Sequence, residues 1–350
     1  MLSAKTSKAI KYLKSYAPGL FKGKYKLDAN ENSYDVPVNV KIKILKEAKE
    51  MEFNRYPDPF ADKLCNALSK RLNVSPRNML IGNGSDELIY YLLLSFIERN
   101  DNVLVPYPTF EMYKILSKIC GANVTEVPLS RKRNFDLDME KMINVIKGKK
   151  TKFVFIAYPN NPTGNCFSAD AIKRILKEKE TFVVIDEAYF EFSGKTFLKE
   201  LNKYENLIIL RTFSKAFSLA GLRIGYMMAD ESVINVVKKV KLPYNVNSFS
   251  QTAAYYALKC EKQFKKNVEM TIKERETMKE ELKGLYYFPD SDSNFIFLKI
   301  RNPGLLKKEF IKNGICVRFF KDSRLKNFVR ITVGRRKENK IVTDILKKGF

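Results

Sequence analysis

Residues 212–226 have the sequence Thr-Phe-Ser-Lys-Ala-Phe-Ser-Leu-Ala-Gly-Leu-Arg-Ile-Gly-Tyr. Lys215 stands among hydroxyl-bearing and small residues, and Arg223 follows it eight positions later. Such a lysine can form an imine with an aldehyde. Thr212, Ser214 and Arg223 can hold a phosphate by hydrogen bonds and a bidentate ion pair. The pattern therefore predicts a pyridoxal phosphate site with Lys215 covalently bound to the cofactor.

The alternative interpretation is that Lys215 is an ordinary solvated lysine in a turn. The chain contains 64 Lys and Arg residues, so some of them fall beside Ser and Gly by chance. An apolar run, Leu207–Leu210, precedes the stretch and is typical of a buried strand. A lysine just after a buried strand favours a functional site over a surface charge.

Length and composition indicate a large globular protein. The chain has 350 residues, of which 45% are hydrophobic, and this is enough for a large core and two lobes. The apolar run 88–97 is about half as long as a bilayer span, so it predicts a buried helix. Residues 1–16 carry spaced lysines and no uninterrupted apolar region, which argues against a secretory signal. We expect a cytoplasmic protein that is not embedded in a membrane.

Cysteine and histidine usage excludes several kinds of site. The five cysteines are widely separated and form no Cys-x-x-Cys pair, so we expect buried, reduced thiols, with no disulfide framework and no metal site; they are Cys65, Cys120, Cys166, Cys260 and Cys316. Histidine is absent, which excludes Ser-His-Asp and Cys-His nucleophile pairs. Acid–base chemistry must use Lys, Asp, Glu, Tyr or Cys.

The net charge of +25 is large enough to attract nucleic acid or to steer small anions. The lysines are nevertheless mixed with glutamates, as in residues 41–50 and 262–281, and do not form one basic tail. We interpret these stretches as solvated helix faces and expect no nucleic-acid partner.

Apolar, β-branched runs alternate with helical patterns along the middle of the chain. The predicted strands are Met79–Ile81, Asn102–Val105, Asn123–Val127, Lys152–Ala157, Thr181–Ile185, Leu207–Leu210 and Gly225–Met228. This alternation predicts an α/β fold with a mainly parallel seven-stranded sheet wrapped by helices. Functional residues are then expected at the carboxyl ends of the strands.

The residues that follow these strands suit a phosphorylated, aromatic cofactor. Residues 82–87 combine glycines with a helix start, which can bind phosphate or can be a simple capped turn. Phe110 can stack on a planar ring or can be a core residue, and Asn161 lies in a Pro-rich turn. Asp186 and Tyr189 follow a strongly apolar strand, and a buried carboxylate there needs a partner such as a protonated ring nitrogen.

With these motifs in this order, the chain resembles the fold-type I pyridoxal-phosphate enzymes, and among them the histidinol-phosphate aminotransferase family. The similarity covers nearly the whole chain. It is carried by residues 27–32, 54–58, 82–88, 160–164, 186–189, 211–226, 293–295 and 329–334. The sequence departs from the family at Ser33, where proline is usual, and at Phe110, where tyrosine is frequent.

The resemblance implies a role for each matching residue. Lys215 would carry the cofactor, Asp186 would pair with its ring nitrogen, Tyr189 and Asn161 would contact its ring hydroxyl, and Phe110 would stack on the ring. The phosphate site would comprise Gly84, Ser85, Asp86, Thr212, Ser214, Arg223, and Tyr56 of a second subunit, so the family resemblance also implies a homodimer. The substrate site would comprise Arg330, Arg318, Asn161 and Asn30, with the two arginines holding the anionic end.

The implied reaction is transamination between L-histidinol phosphate and 2-oxoglutarate. An aminotransferase for aromatic or other phosphorylated amino substrates, or a phosphothreonine decarboxylase, would share the same cofactor residues. A basic nucleic-acid-binding or ligand-sensing module is the alternative from a different class. We expect a large cofactor-binding domain at residues 47–244, and a smaller α+β lobe formed by residues 1–46 and 245–350.

Overall fold

The computed structural model describes residues 23–350, and its strands form two sheets. In chain order, the strands of this part are β1 Tyr25–Leu27, β2 Met79–Gly82, β3 Asn102–Tyr107, β4 Asn123–Pro128, β5 Thr151–Ala157, β6 Phe182–Asp186, β7 Leu207–Thr212, β8 Gly225–Met228, β9 Phe295–Lys299, β10 Ile315–Phe319 and β11 Phe328–Thr332. Strands β2 to β8 make the larger sheet, and the other four make the smaller one.

Helices follow most of the strands and cover both faces of the larger sheet. In the same residue range they are α1 Val38–Lys49, α2 Asp62–Leu72, α3 Ser85–Phe96, α4 Glu111–Ile119, α5 Met139–Gly148, α6 Ala169–Leu176, α7 Phe190–Ser193, α8 Glu231–Lys238, α9 Ser248–Lys259, α10 Glu261–Leu282, α11 Pro303–Lys312 and α12 Arg336–Leu346. The lysines of α1 and α10 lie mostly on exposed faces, as the mixed charge pattern predicted.

The larger sheet confirms the predicted fold class. Its strand order is β2-β8-β7-β6-β5-β3-β4. Strands β3 to β7 run parallel to one another, while β8 is antiparallel to both β7 and β2. Because two reversals cancel, β2 runs in the same direction as β7. The segments that follow β2, β3, β5, β6 and β7 therefore meet at one edge of the sheet.

The central strands are buried on both faces, which explains their continuous apolar sequences. Alternate residues of each strand enter different hydrophobic clusters. Ile185 and Ile209 pack on one side of the sheet, whereas Val184 and Ile208 pack on the other side. A sheet covered in this way is a rigid support for the side chains at the ends of its strands.

The smaller sheet brings the two ends of the described chain together. Its order is β1-β10-β11-β9, and Tyr25 of β1 pairs with Ile315 of β10 in parallel. The chain therefore forms a smaller α+β unit from both ends, as expected. The exact domain limits at residues 46/47 and 244/245 stay a prediction, and the first of them falls near the end of α1.

All five cysteines are free thiols, in agreement with the sequence. Their expected burial is only partly correct, because Cys120, Cys166 and Cys260 are half-buried, while Cys65 and Cys316 are buried. In the part of the chain from residue 23 onward, no helix has the length and apolarity needed to cross a bilayer. Residues 1–16, which informed the expectation about a signal sequence, lie outside the described residues.

Candidate active site

A cavity of about 510 Å³ lies at the edge of the larger sheet where the parallel strands end, and the smaller sheet forms one of its walls. Most of the predicted site residues line it. They are Asn30, Ser85, Asp86, Phe110, Asn161, Asp186, Tyr189, Thr212, Ser214, Lys215, Arg223, Arg318 and Arg330. Two predicted residues, Gly84 and Tyr56, do not line the cavity. Sequence positions spread over 300 residues thus meet in one place.

Lys215 lies three residues beyond the end of β7. Its Nζ donates a hydrogen bond of 3.1 Å to the backbone oxygen of Ala29 and lies 5.8 Å from the centre of the Tyr189 ring. Burial and, to a smaller extent, the nearby cation of Arg330 lower its pKa to about 8. A larger fraction of this amine is therefore neutral near physiological pH than is usual for lysine.

Asp186 is the last residue of β6, and its carboxylate is buried at the floor of the cavity. Its Oδ1 accepts a hydrogen bond of 3.1 Å from the backbone N–H of Ala188, and its Oδ2 accepts one of 2.7 Å from the hydroxyl of Tyr113. Burial raises the pKa of Asp186 to about 6, against the opposing effect of these two hydrogen bonds. A cationic partner would lower this pKa again and stabilise the ionised carboxylate.

The N-terminus of α3 faces the cavity with free backbone N–H groups. No side chain caps this helix, whose preceding residue, Gly84, has a φ of +83°. A Cβ atom on Gly84 would lie 2.7 Å from Nη2 of Arg223, and one on Gly225 would lie 2.6 Å from the backbone nitrogen of Ser85. Both glycines keep space for close packing around the helix start, which is a good anion site.

Hydroxyl and guanidinium groups surround this helix start. The Thr212 hydroxyl accepts a hydrogen bond of 3.0 Å from the backbone N–H of Ser214 and fixes the turn after β7. Arg223 contacts Oγ of Ser214 at 3.4 Å and Oδ2 of Asp86 at 3.3 Å. The arrangement therefore combines backbone donors, hydroxyls and one cation at a single point, which suits a phosphate group.

Two arginines extend into the cavity from the smaller sheet. Arg318 of β10 and Arg330 of β11 are directly paired residues of adjacent antiparallel strands, so their side chains leave the sheet on the same face. Arg330 donates 2.6 Å and 2.5 Å hydrogen bonds to Oδ1 of Asn161 and to the backbone oxygen of Asp28. Two cations on one face repel each other, and an anion between them would relieve that repulsion.

Asn30 and Tyr189 line the cavity together with Lys215. The buried Asn30 donates a hydrogen bond of 2.9 Å from Nδ2 to the hydroxyl oxygen of Tyr189. Its Oδ1 accepts a hydrogen bond of 3.3 Å from the Thr332 hydroxyl, which links it to the smaller sheet. The Tyr189 hydroxyl is therefore held in place between the two sheets.

Tyr56 lies apart from these residues. Its side chain is 81% exposed and stacks on the Tyr244 ring, with 4.5 Å between the ring centroids. The resemblance assigned Tyr56 to the active site of a second subunit, and this role stays a prediction.

Sequence reasoning missed two groups of residues in the cavity wall. Tyr113 hydrogen-bonds Asp186, and its only signal in the sequence was its position three residues after Phe110 at the start of a helix. The segment 320–325 also contributes to the wall, and its Arg324 guanidinium lies 3.4 Å from the centre of the Tyr107 ring. No motif marked this segment, because its contacts depend on the packing of the two sheets.

Comparison with known proteins gives the family. Residues 22–346 match the model of aminotransferase class I and II. The chain belongs to the aminotransferase class I and II family. It is 40% identical over 343 residues to the histidinol-phosphate aminotransferase of Thermoanaerobacter pseudethanolicus, with 97% of each protein covered. It is 42% identical over 330 residues to that of Thermococcus gammatolerans, with 93% of each covered.

Solved structures agree with this assignment. The histidinol-phosphate aminotransferase of Clostridium acetobutylicum is 26% identical and has a TM-score of 0.84, covering 93% of this chain and 98% of that chain. The Sinorhizobium meliloti enzyme, solved with pyridoxal 5'-phosphate, is 21% identical and shares the fold with a TM-score of 0.87, covering 99% of this chain and 98% of that chain. The chain is thus an aminotransferase of fold type I, and its cofactor is pyridoxal 5'-phosphate.

The residues in the cavity fit this cofactor. An uncapped helix start with space reserved by Gly84 and Gly225 suits the phosphate. A buried carboxylate at Asp186 suits a protonated ring nitrogen, and the buried amine of Lys215 suits the aldehyde. The cavity therefore offers a matching group for each polar end of the cofactor.

Proposed function

We propose that this enzyme transfers the amino group of L-histidinol phosphate to 2-oxoglutarate, giving imidazole acetol phosphate and L-glutamate in histidine biosynthesis. The observation that carries the proposal is the pair Arg318 and Arg330 in the same cavity as Lys215. Arginine binds phosphate and carboxylate with the same two-pronged geometry, so one pair can serve the phosphorylated donor and the dicarboxylate acceptor in turn. The arginines account only for the anionic end of the donor. The rest of the proposed donor is taken from the relatives, which are named histidinol-phosphate aminotransferases.

The cofactor residues are proposed from their positions. Asp186 would hold the ring nitrogen, Tyr189 and Asn161 the ring hydroxyl, and Phe110 the face of the ring. The phosphate would be bound at the start of α3 and beside β7, by Gly84, Ser85, Asp86, Thr212, Ser214 and Arg223. When bound, pyridoxal 5'-phosphate accepts the amino group and withdraws electrons from the substrate Cα.

Lys215 is the group that moves the proton at the substrate Cα. It is the only lysine that lines the cavity among the described residues, and the whole chain has no histidine. Its pKa of about 8 means that the neutral amine is available as a base at modest cost near pH 7 to 8. Arg330 and Arg223 contribute to this lowered pKa, so the anion-binding residues also tune the base.

Arg330 is expected to recognise the phosphate of the donor. We predict that Arg330→Gln lowers kcat/KM for L-histidinol phosphate about 100-fold in the half-reaction without 2-oxoglutarate, because a charge-assisted, bidentate contact is lost. The value for L-histidinol, which has no phosphate, should change much less. Rapid-mixing absorbance measurements with both donors test this prediction. The exposed Arg335→Gln serves as a control, and an equal loss for the two donors would show that Arg330 does not bind the phosphate.

We also infer a homodimer in which Tyr56 reaches the cofactor phosphate of the partner subunit. Large apolar side chains are exposed near Tyr56, with Phe53 at 86% and Leu242 at 64% exposure. The segments that carry them are joined, because Lys241 donates a 2.7 Å hydrogen bond to the backbone oxygen of Pro59. A second copy of the chain would bury this surface.

The dimer is tested by analytical ultracentrifugation. A species of twice 40.6 kDa is expected at micromolar concentration, and Leu242→Asp should shift it toward the monomer. A wild-type protein that sediments as a monomer under these conditions would contradict the inference.

We also infer a cytoplasmic location, because the free thiols agree with a reducing compartment. Cell fractionation with activity measurements can check this location.

A further inference from the structure

Tyr113 occupies a position that no part of the proposed reaction uses. It lies on α4, its side chain is fully buried, and its hydroxyl donates a 2.7 Å hydrogen bond to Oδ2 of Asp186. Its ring stacks on Phe155 with 5.0 Å between the centroids, and it meets the edge of Phe110 at 5.4 Å. The phenol therefore touches the two residues proposed to contact the ring nitrogen and the ring face of the cofactor.

We propose that Tyr113 is a positioning residue that keeps the Asp186 carboxylate ionised and directed at the ring nitrogen of the cofactor. The inference rests on the proposed role of Asp186. The phenol cannot rotate away, since Phe155 and Phe110 confine its ring on two sides. Its hydroxyl leaves the other carboxylate oxygen, Oδ1, to the backbone N–H of Ala188. The two donors together fix the plane of the carboxylate.

The surroundings of Asp186 explain why a donor is needed there. Burial disfavours the ionised form, and the carboxylates of Asp86 on α3 and of the neighbouring Glu187 add to this effect. The hydroxyl of Tyr113 and the N–H of Ala188 are the groups that oppose it. The balance leaves Asp186 with a pKa of about 6, so removal of the Tyr113 hydroxyl should raise the pKa above that value.

A higher pKa of Asp186 has a defined effect on cofactor binding. A protonated ring nitrogen binds the ionised carboxylate, so affinity falls as the pH drops through the pKa of Asp186 in the cofactor-free protein. Without the Tyr113 hydroxyl this fall should begin at a higher pH. The weakening caused by Tyr113→Phe should therefore be small in alkaline solution and larger in acidic solution.

The test uses pyridoxine 5'-phosphate, which has an alcohol in place of the aldehyde and cannot become linked to Lys215. Its dissociation constant is measured by fluorescence titration from pH 6 to pH 8.5 for cofactor-free wild type and Tyr113→Phe. At each pH, the dissociation constant of Tyr113→Phe is divided by that of wild type. The ionisations of the probe itself affect both proteins equally and cancel in this ratio, so the ratio reports on the protein. If the pKa rises by about one unit, the ratio should be near one at pH 8 and about five at pH 6.

Tyr158→Phe is the matched control, because Tyr158 is a buried tyrosine near the same strand ends whose ring packs on Phe197. The dissociation constant of Tyr158→Phe relative to that of wild type should not change with pH. A ratio for Tyr113→Phe that is constant across the pH range would overturn the proposal, since it would reduce Tyr113 to a packing residue.

Two further variants keep the interpretation clear. Asp186→Asn should bind the probe weakly at every pH, and if it binds like wild type at pH 8, the proposed role of Asp186 itself is wrong. If Asp186→Asn is weakened and Tyr113→Phe is not, only the role of Tyr113 fails. Site-specific 3-fluorotyrosine at position 113 is a stronger donor of nearly equal size, so its ratio at pH 6 should fall below one, and a ratio above one would contradict the proposal.

Discussion

Replacement of Lys215 by alanine is expected to reduce the rate of transamination about a thousandfold or more. In the proposed function this side chain supplies both the attachment point for the cofactor and the base at the substrate Cα, and loss of a positioned base alone typically costs a factor of 10² to 10⁴. No other lysine lines the cavity within residues 23–350, and histidine is absent from the chain. Among the residues that the structure describes, no other amine is therefore placed to replace the lost one.

The measurement is the steady-state formation of L-glutamate by wild type and by Lys215→Ala, both saturated with pyridoxal 5'-phosphate. Lys195→Ala is the control, because Lys195 forms a partly exposed ion pair with Asp292 at 2.9 Å and does not line the cavity. Near-normal turnover by Lys215→Ala would refute the role of this residue. Circular dichroism should show that both variants are folded.

The variant Arg211→Met is expected to lower the free energy of unfolding by about 3–5 kcal/mol, because it leaves the carboxylate of Glu187 buried without its cation. The two side chains are 2% and 0% exposed, and Nη2 of Arg211 lies 2.8 Å from Oε2 of Glu187. Arg211 also donates to the Thr196 hydroxyl at 2.8 Å and lies 3.8 Å from the centre of the Phe190 ring.

The position of this pair makes the loss important for the site. Glu187 follows Asp186 at the end of β6, and Arg211 precedes Thr212 at the end of β7, so the pair joins the two strand ends that form the floor of the cavity. Burial raises the pKa of Glu187, and the Arg211 guanidinium opposes that rise. Removal of either partner therefore exposes the full cost of burying the other.

Urea unfolding of the cofactor-free protein measures this effect. The double variant Arg211→Met with Glu187→Gln removes both charges but keeps an oxygen to accept the 2.7 Å hydrogen bond from the backbone N–H of Phe197. It should recover a large part of the lost stability. The losses in free energy of unfolding are also measured for Arg211→Met and Glu187→Gln alone. If the double variant loses as much as the two single variants together, the ion pair does not provide the stability assigned to it.

The strands of the larger sheet were predictable because their signal is local. A run such as Val183 to Ile185 is apolar throughout, and such runs occur where both faces of a strand are covered. The order of the strands carried no such signal. The antiparallel insertion of β8 between β7 and β2 depends on long-range packing, and β1 is only three residues long and pairs with a strand almost 300 positions away.

Some parts of the candidate site could be predicted from the local sequence, and others could not. Lys215, Asp186 and the start of α3 could be placed because each lies a few residues or less beyond a predicted strand, and parallel strands end at one edge. The hydrogen bond of Tyr113 to Asp186 joins residues 73 positions apart and has no pattern in either segment. The role predicted for Tyr56 depends on a second subunit, so it follows neither from the local sequence nor from the fold of one chain.

The identity of the amino donor can be decided with the wild-type enzyme and a panel of donors. L-histidinol phosphate, L-phenylalanine and O-phospho-L-threonine are each supplied with 2-oxoglutarate, and the formation of L-glutamate is followed. The proposed function predicts the highest kcat/KM for L-histidinol phosphate, whose phosphate is the anionic end that Arg318 and Arg330 would bind. No glutamate from L-histidinol phosphate, together with turnover of L-phenylalanine or decarboxylation of O-phospho-L-threonine, would contradict it.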